Sequence, residues 1–186
     1  MGTNVVRLVR SDHRRISELL ARLNSRHRGG TALQKRVANE LTAHVTACRD
    51  SLLPFAESRV HLDRSAAESL DRLQRVAGEL RESAGAVPAA TIATLVEAMD
   101  HHIDTEERDV LRPLEDTVTV DRLRRLGESF RRTRDAAMRA EGGSQRRQTR
   151  PPASRAELYE QARYRKIAGR SSMSKAELLA ALKEQQ

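Results

Sequence analysis

The stretch MDHHIDTEERDVLRPLE, Met99 to Glu115, decides the fold reading. Met99, His102, Ile103, Glu106 and Val110 recur at steps that place them on one face of an α-helix. His102 and Glu106 stand one turn apart on that face, a histidine and a carboxylate among apolar neighbours. Charged and polar side chains turn inward only when something pairs with them, so the stretch announces both a packed helix and a polar site within it.

Working outward, the same periodicity defines a helix from about Ala89 to Leu111, with Ile92, Leu95 and Val96 also inward. Three further helices precede it. One runs from about Asn4 to Arg26, with Val5, Val9, Ile16, Leu20 and Leu23 inward. The next runs from about Ala32 to Leu53, ending at Pro54. Another runs from about Arg64 to Glu82, with Leu70, Leu73, Val76 and Leu80 inward. The breaks between them are short and rich in glycine or proline, which predicts an antiparallel four-helix bundle. An amphipathic stretch over 121–139 predicts a fifth helix. The chain also repeats itself: His13 and Leu70 match at an offset of 57, and His44 and His102 at an offset of 58.

Inward histidines occur on three helices. His13 lies three residues before Ile16, His44 three after Leu41, and His102 three after Met99. With Glu106 they make a candidate metal-ligand set, because imidazole and carboxylate together suit first-row divalent ions. Cys48, one turn after His44, is a further candidate as a thiolate, which would favour zinc. Its other reading is a small buried thiol filling core. His27, His61 and His101 read as peripheral. Without a metal, the inward histidines need partners such as Glu106, Asp71 or Asp100.

Composition sets the bounds. The 186 residues are 38% hydrophobic but 2% aromatic, so Leu, Val, Ala and Ile must fill the core. One cysteine precludes an internal disulfide and fits a reducing compartment. The N-terminus reaches charge too early for a signal peptide, and no apolar run approaches about 18 residues. The expectation is a cytoplasmic protein with no membrane partner. The net charge of +8 is uneven: residues 1–120 carry −1 and residues 121–186 carry +9. That asymmetry suggests an acidic partner for the C-terminal third, with a solvated tail as the alternative.

The segment 140–153, AEGGSQRRQTRPPA, has linker composition. Beyond it, Ser154 with Glu157 and Ser174 with Glu177 have capping-box spacing, each opening a short apolar pattern. Residues 154–186 therefore read as a small helix–extended loop–helix module.

SDHRRISELLARL (11–23), ELTAHVTACRDSLLP (40–54) and the stretch quoted first resemble the cation-binding motifs of hemerythrin-like proteins. The resemblance covers roughly residues 4–135. It implies a four-helix bundle around a non-haem di-iron centre, and a role in iron, oxygen or redox handling or sensing. Its ligand positions fall on His13, His44, His102 and Glu106. Its helix-two carboxylate falls on Cys48 and its helix-three histidine on Leu70, losses that strip one iron position. The other would keep His13, His44 and Glu106, so the expectation is about one iron per chain, with zinc or no metal as alternatives. Residues 154–184 resemble the short N-terminal domain of transcription termination factor Rho, related in shape to SAP modules. That resemblance implies DNA or RNA contact, with Arg163, Arg165, Lys166, Arg170 and Lys175 as the phosphate-binding candidates.

No catalytic nucleophile arrangement, Gly-rich phosphate loop or paired-cysteine motif is present, so the chain reads more as a binding protein than an enzyme. The leading reading is a metal-binding sensor or iron-handling protein with a nucleic-acid-binding tail. Against it stand a metal-free bundle acting as scaffold for that tail, and an oxygen- or peroxide-consuming enzyme. The sequence leaves oligomeric state open.

Overall fold

The computed structural model describes residues 4–25, 30–83, 85, 87–149, 154–165 and 167–184, and every regular element among them is helical. His27 and Lys166 lie outside the described residues. The chain divides into two compact units, Met1–Gly142 and Gly143–Gln186.

Four long helices build the first unit: α1 (Val5–Ser25), α2 (Thr31–Ala47), α4 (Ser65–Glu82) and α5 (Ala89–Glu106). Helix α1 packs against α2 and α5, and α4 packs against the same two, closing a ring around one core. Fully buried Ile16, Leu41, Leu73 and Leu95 show how aliphatic side chains fill it in place of aromatics. Buried Gln34 closes the end of α4: its amide donates to the carbonyls of Leu80 (2.6 Å) and Ser83 (2.8 Å), groups the helix itself leaves unpaired.

The prolines do not stop their helices. Helix α2 passes through a π turn, π1 (Cys48–Leu52), into α3 (Leu53–Glu57), and α5 passes through π2 (Glu107–Leu111) into α6 (Arg112–Thr117). The Leu53 N–H donates to the carbonyl of Cys48, and that of Arg112 to the carbonyl of Glu107, each five residues back. Proline has no N–H, and its ring crowds the carbonyl four residues earlier. A widened turn just ahead of Pro54 and Pro113 accommodates both defects without ending the helix. The expected ends at Pro54 and Leu111 are corrected accordingly, and the internal repeat extends to the backbone.

Helix α7 (Val120–Thr149) lays Leu123, Leu126 and Phe130 into the core. It runs past the expected end at 139 and through most of the segment read as linker. Arg139, Ala140, Glu141, Gln145, Arg146 and Arg147 are strong helix formers, and they outweigh the roughly 1 kcal/mol that each of Gly142 and Gly143 costs.

In the second unit, α8 (Arg155–Tyr164) and α9 (Lys175–Glu184) pack through Leu158, Ala162, Leu178 and Leu182, with Ile167 between them. The Ser174 box is formed: its N–H donates to Glu177 Oε2 at 2.7 Å, and the Glu177 N–H donates to Ser174 Oγ at 3.3 Å. Gly169 supplies a left-handed φ of 74° where the connection turns.

Candidate metal centre

Three helices deliver the site. His13 comes from α1 and His44 from the last turn of α2. His102 and Glu106 come from α5, Glu106 being its final residue before π2. All four side chains are buried, with residue exposures of 4, 0, 1 and 2%. One ligand atom from each lies within 4.8 Å of every other. His44 Nε2 and His102 Nε2 are 3.0 Å apart. Glu106 Oε2 lies 2.9 Å from His13 Nε2, 3.4 Å from His102 Nε2 and 3.8 Å from His44 Nε2. The ring centroids stand 5.0, 5.2 and 5.4 Å apart, each pair edge-on, so the histidines surround a point instead of stacking.

These spacings can be tested against a metal. Four donors at about 2.1 Å from one ion in a tetrahedron lie about 3.4 Å from one another, and the four distances given fall on both sides of that value. Both Glu106 oxygens and His13 Nε2 lack an aligned hydrogen bond despite their closeness. His44 and His102 share a hydrogen bond, while the Glu106 oxygens and His13 Nε2 crowd the same point without one, on residues almost closed to water, as an ion-binding set requires. The donor set of three imidazoles and one carboxylate fits a single first-row divalent ion. His102, which the resemblance assigns to the stripped iron position, has its ligand atom within 4.8 Å of those of His13, His44 and Glu106, so the four candidates named from the sequence come together.

Burial works against ionisation of Glu106, yet His102, with His13 and His44, holds its carboxyl well below the usual range. Burial lowers the pKa of His44, and Asp12 only partly offsets this. Burial pushes the Cys48 thiol well up, and Glu106 and Asp12 add to the effect. Without a metal, burial thus favours the protonated thiol of Cys48. Its Sγ lies 3.5 Å from His44 Nε2, beside the converging set and not within it.

The sequence reading missed the shell behind the ligands. Ser69 Oγ lies 3.0 Å from His102 Nδ1. Asp12 Oδ2 lies 3.7 Å from His44 Nδ1. Asp12 and Glu40, both buried, are bridged by Arg134 of α7, whose Nε meets Asp12 at 2.6 Å, and by Arg15. The ring of Phe130, also from α7, stands 6.3 Å from that of His44. Asp12 adjoins His13 and so was within reach of a sequence argument, whereas nothing in the sequence pairs Arg134 with it. The alternative partners do not enter: Asp71 is exposed and bound to Arg49, and Asp100, His61 and His101 are exposed. Leu70 is buried in the core.

In the second unit the basic candidates separate. Arg165 donates to the carbonyl of Leu182 (3.1 Å) and so ties the end of α8 to α9, whereas Arg170 donates within the connection, to the carbonyl of Ile167 (2.9 Å). Arg163 is exposed and only loosely paired with Glu160 at 3.4 Å, and Lys175 is exposed. Tyr164, which the sequence reading passed over, is 90% exposed.

Among the described residues no helix is long and apolar enough to cross a membrane. Comparison of the chain with protein-family models, curated proteins and solved structures finds no match.

Proposed function

We propose that the first unit is a metal-binding domain, a hemerythrin-like bundle reduced to one ion per chain, and that the ion is iron. The observation carrying this reading is the convergence of His13, His44, His102 and Glu106 to within 4.8 Å in a buried core, with the Glu106 oxygens otherwise unpaired. Bound iron supplies a redox-active centre with coordination positions for a small ligand. The protein residues fix the donors, exclude bulk water and orient His102 through Ser69, with the Asp12 carboxylate 3.7 Å from His44 Nδ1. The C-terminal module, with its excess of positive charge, contacts DNA or RNA, so that the chain acts as a sensor or iron-handling protein at a nucleic acid.

A metal-free scaffold is the competing reading, favoured by the 2.9 Å approach of His13 to Glu106, which compensates both groups without an ion. Metal analysis of protein from iron- and zinc-supplemented cells separates the two. The expected result is about one iron per chain, lost in His44→Ala and in Glu106→Gln. Protein that arrives metal-free, and whose thermal midpoint does not move with added Fe(II), Zn(II) or Mn(II), overturns the proposal in favour of the scaffold.

A further inference from the structure

A second site is independent of the histidine cluster. A cleft of about 470 Å³ opens in the first unit between the π1–α3 segment and the first turns of α7. Arg122, Arg125 and Ser129 project into it from one face of α7, and Arg59, Phe55 and Asp50 line the opposite wall. None of the three guanidiniums has a hydrogen-bond or ion-pair partner among the described residues. Arg59 lies 5.8 Å from the centroid of the Phe55 ring.

Three unpaired guanidiniums in one cleft repel one another and raise a local positive potential that an anion relieves. The guanidinium fork matches the oxygens of a phosphate, which can accept from two arginines at once. The Arg59 guanidinium lies over the half-buried Phe55 ring, and when it turns to a phosphate it uncovers that face as a stacking surface. Asp50 disfavours a bare anion, but it accepts from a hydroxyl or amino group on a larger ligand. The volume lies within the roughly 300–1,000 Å³ usual for small-molecule sites. We propose that this cleft binds a phosphate monoester carrying a planar ring and hydroxyl or amino donors, in its simplest form a mononucleotide. The phosphate lies against Arg122, Arg125 and Arg59, the ring against Phe55, and a donor group meets Asp50.

Calorimetric titration of the full chain with AMP, ribose 5-phosphate and adenosine tests this. AMP should bind with a dissociation constant on the order of 100 µM, weakening as salt rises. Ribose 5-phosphate should bind more weakly and adenosine not measurably. Arg122→Ala with Arg125→Ala should weaken AMP about tenfold or more, and Arg131→Ala, the same charge lost elsewhere on α7, should not. If the alanine pair perturbs α7, the glutamine pair serves in its place. Phe55→Leu should weaken AMP while leaving ribose 5-phosphate unchanged. Absence of AMP binding at about 5 mM, or a double variant that binds like the parent, overturns the proposal. So does a single-stranded oligonucleotide that binds through Arg122 and Arg125 and is not displaced by AMP, which would make the cleft part of a nucleic-acid surface.

Discussion

The hydroxyl of Ser69 lies 3.0 Å from Nδ1 of His102 and gives its own proton to the carbonyl of Ala66, 2.8 Å away. With that proton committed, Ser69 can only accept from His102, so Nδ1 carries the hydrogen and Nε2 is left with a free lone pair. The lone pair faces Glu106 Oε2 at 3.4 Å and His44 Nε2 at 3.0 Å. One serine on α4, a helix without a ligand of its own, thus sets the tautomer that a metal needs.

Replacing Ser69 with alanine should therefore weaken metal binding about 10- to 100-fold, the range for loss of an outer-shell partner, with helical content unchanged. Competition against a chromophoric chelator measures it. Affinity equal to the parent's would show that Ser69 does not orient His102.

Cys48 yields the opposite expectation. Its thiol is buried and stands beside the ligand set instead of within it. Cys48→Ala should keep the metal stoichiometry and lose about 1 kcal/mol of stability to the small void. A Cys48→Ala protein that no longer binds metal would restore the thiolate as a ligand.

Much of this arrangement was legible in the sequence because it depends on local periodicity. An inward histidine announces itself by its spacing from Ile16, Leu41 or Met99, and His102 with Glu106 is a one-turn pair. What escaped is what depends on neighbours distant in the chain. Ser69, Arg134 and Glu40 look like ordinary polar residues until the helices pack. Pro54 read as a stop because proline usually is one, and the π turn that rescues the helix has no sequence mark of its own. The long α7 escaped because Gly142 and Gly143 outshone the helix formers around them.

Acid should destabilise the metal-free protein from about neutrality downward. In the unfolded chain His44 takes up a proton near its ordinary value of 6.5, while burial keeps the native value lower. Below 6.5 the unfolded state therefore binds more protons, and stability falls with pH until the native value is reached. Glu106 and Asp12 are depressed in the native state, so they stabilise it above their ordinary values of 4.5 and 3.8. Their contribution fades as pH drops below those values. Urea midpoints at pH 7, 6 and 5 should decline, and His44→Gln should flatten the decline between 7 and 5. A flat parent profile would contradict the account.

Arg134 ties α7 to the back of the site. Removing its guanidinium leaves Asp12 and Glu40 buried with only Arg15 between them. Breaking a buried ion pair from one side costs about 3–5 kcal/mol, and Arg15 brings the expectation for Arg134→Met to the lower end of that range. Adding Asp12→Asn and Glu40→Gln should recover part of the loss, since the orphaned charges go with it. Denaturant unfolding of the variants decides, and a single variant as stable as the parent would refute the network's role.

The tail makes its own test. Residues 121–186 carry +9, but Arg165 and Arg170 are engaged with backbone carbonyls of their own module. On the proposed nucleic-acid contact, the phosphate-binding groups would be exposed Arg163 and Lys175, and the exposed ring of Tyr164 would be the surface on which an unpaired base stacks. Stacking contributes about 1–3 kcal/mol per base, so Tyr164→Ala in the full chain should weaken a single-stranded oligonucleotide about tenfold or more. Duplex of the same sequence, whose bases are already stacked, should be little affected. Arg163→Gln and Lys175→Gln should each lower the slope of log affinity against log salt by about 0.7 on a single strand. Arg165→Gln should act differently, loosening α9 and lowering the module's unfolding midpoint. Fluorescence anisotropy across a salt series reads the three binding variants, and thermal unfolding reads Arg165→Gln. If Tyr164→Ala and the two charge variants bind as the parent does, the module does not meet nucleic acid through this face.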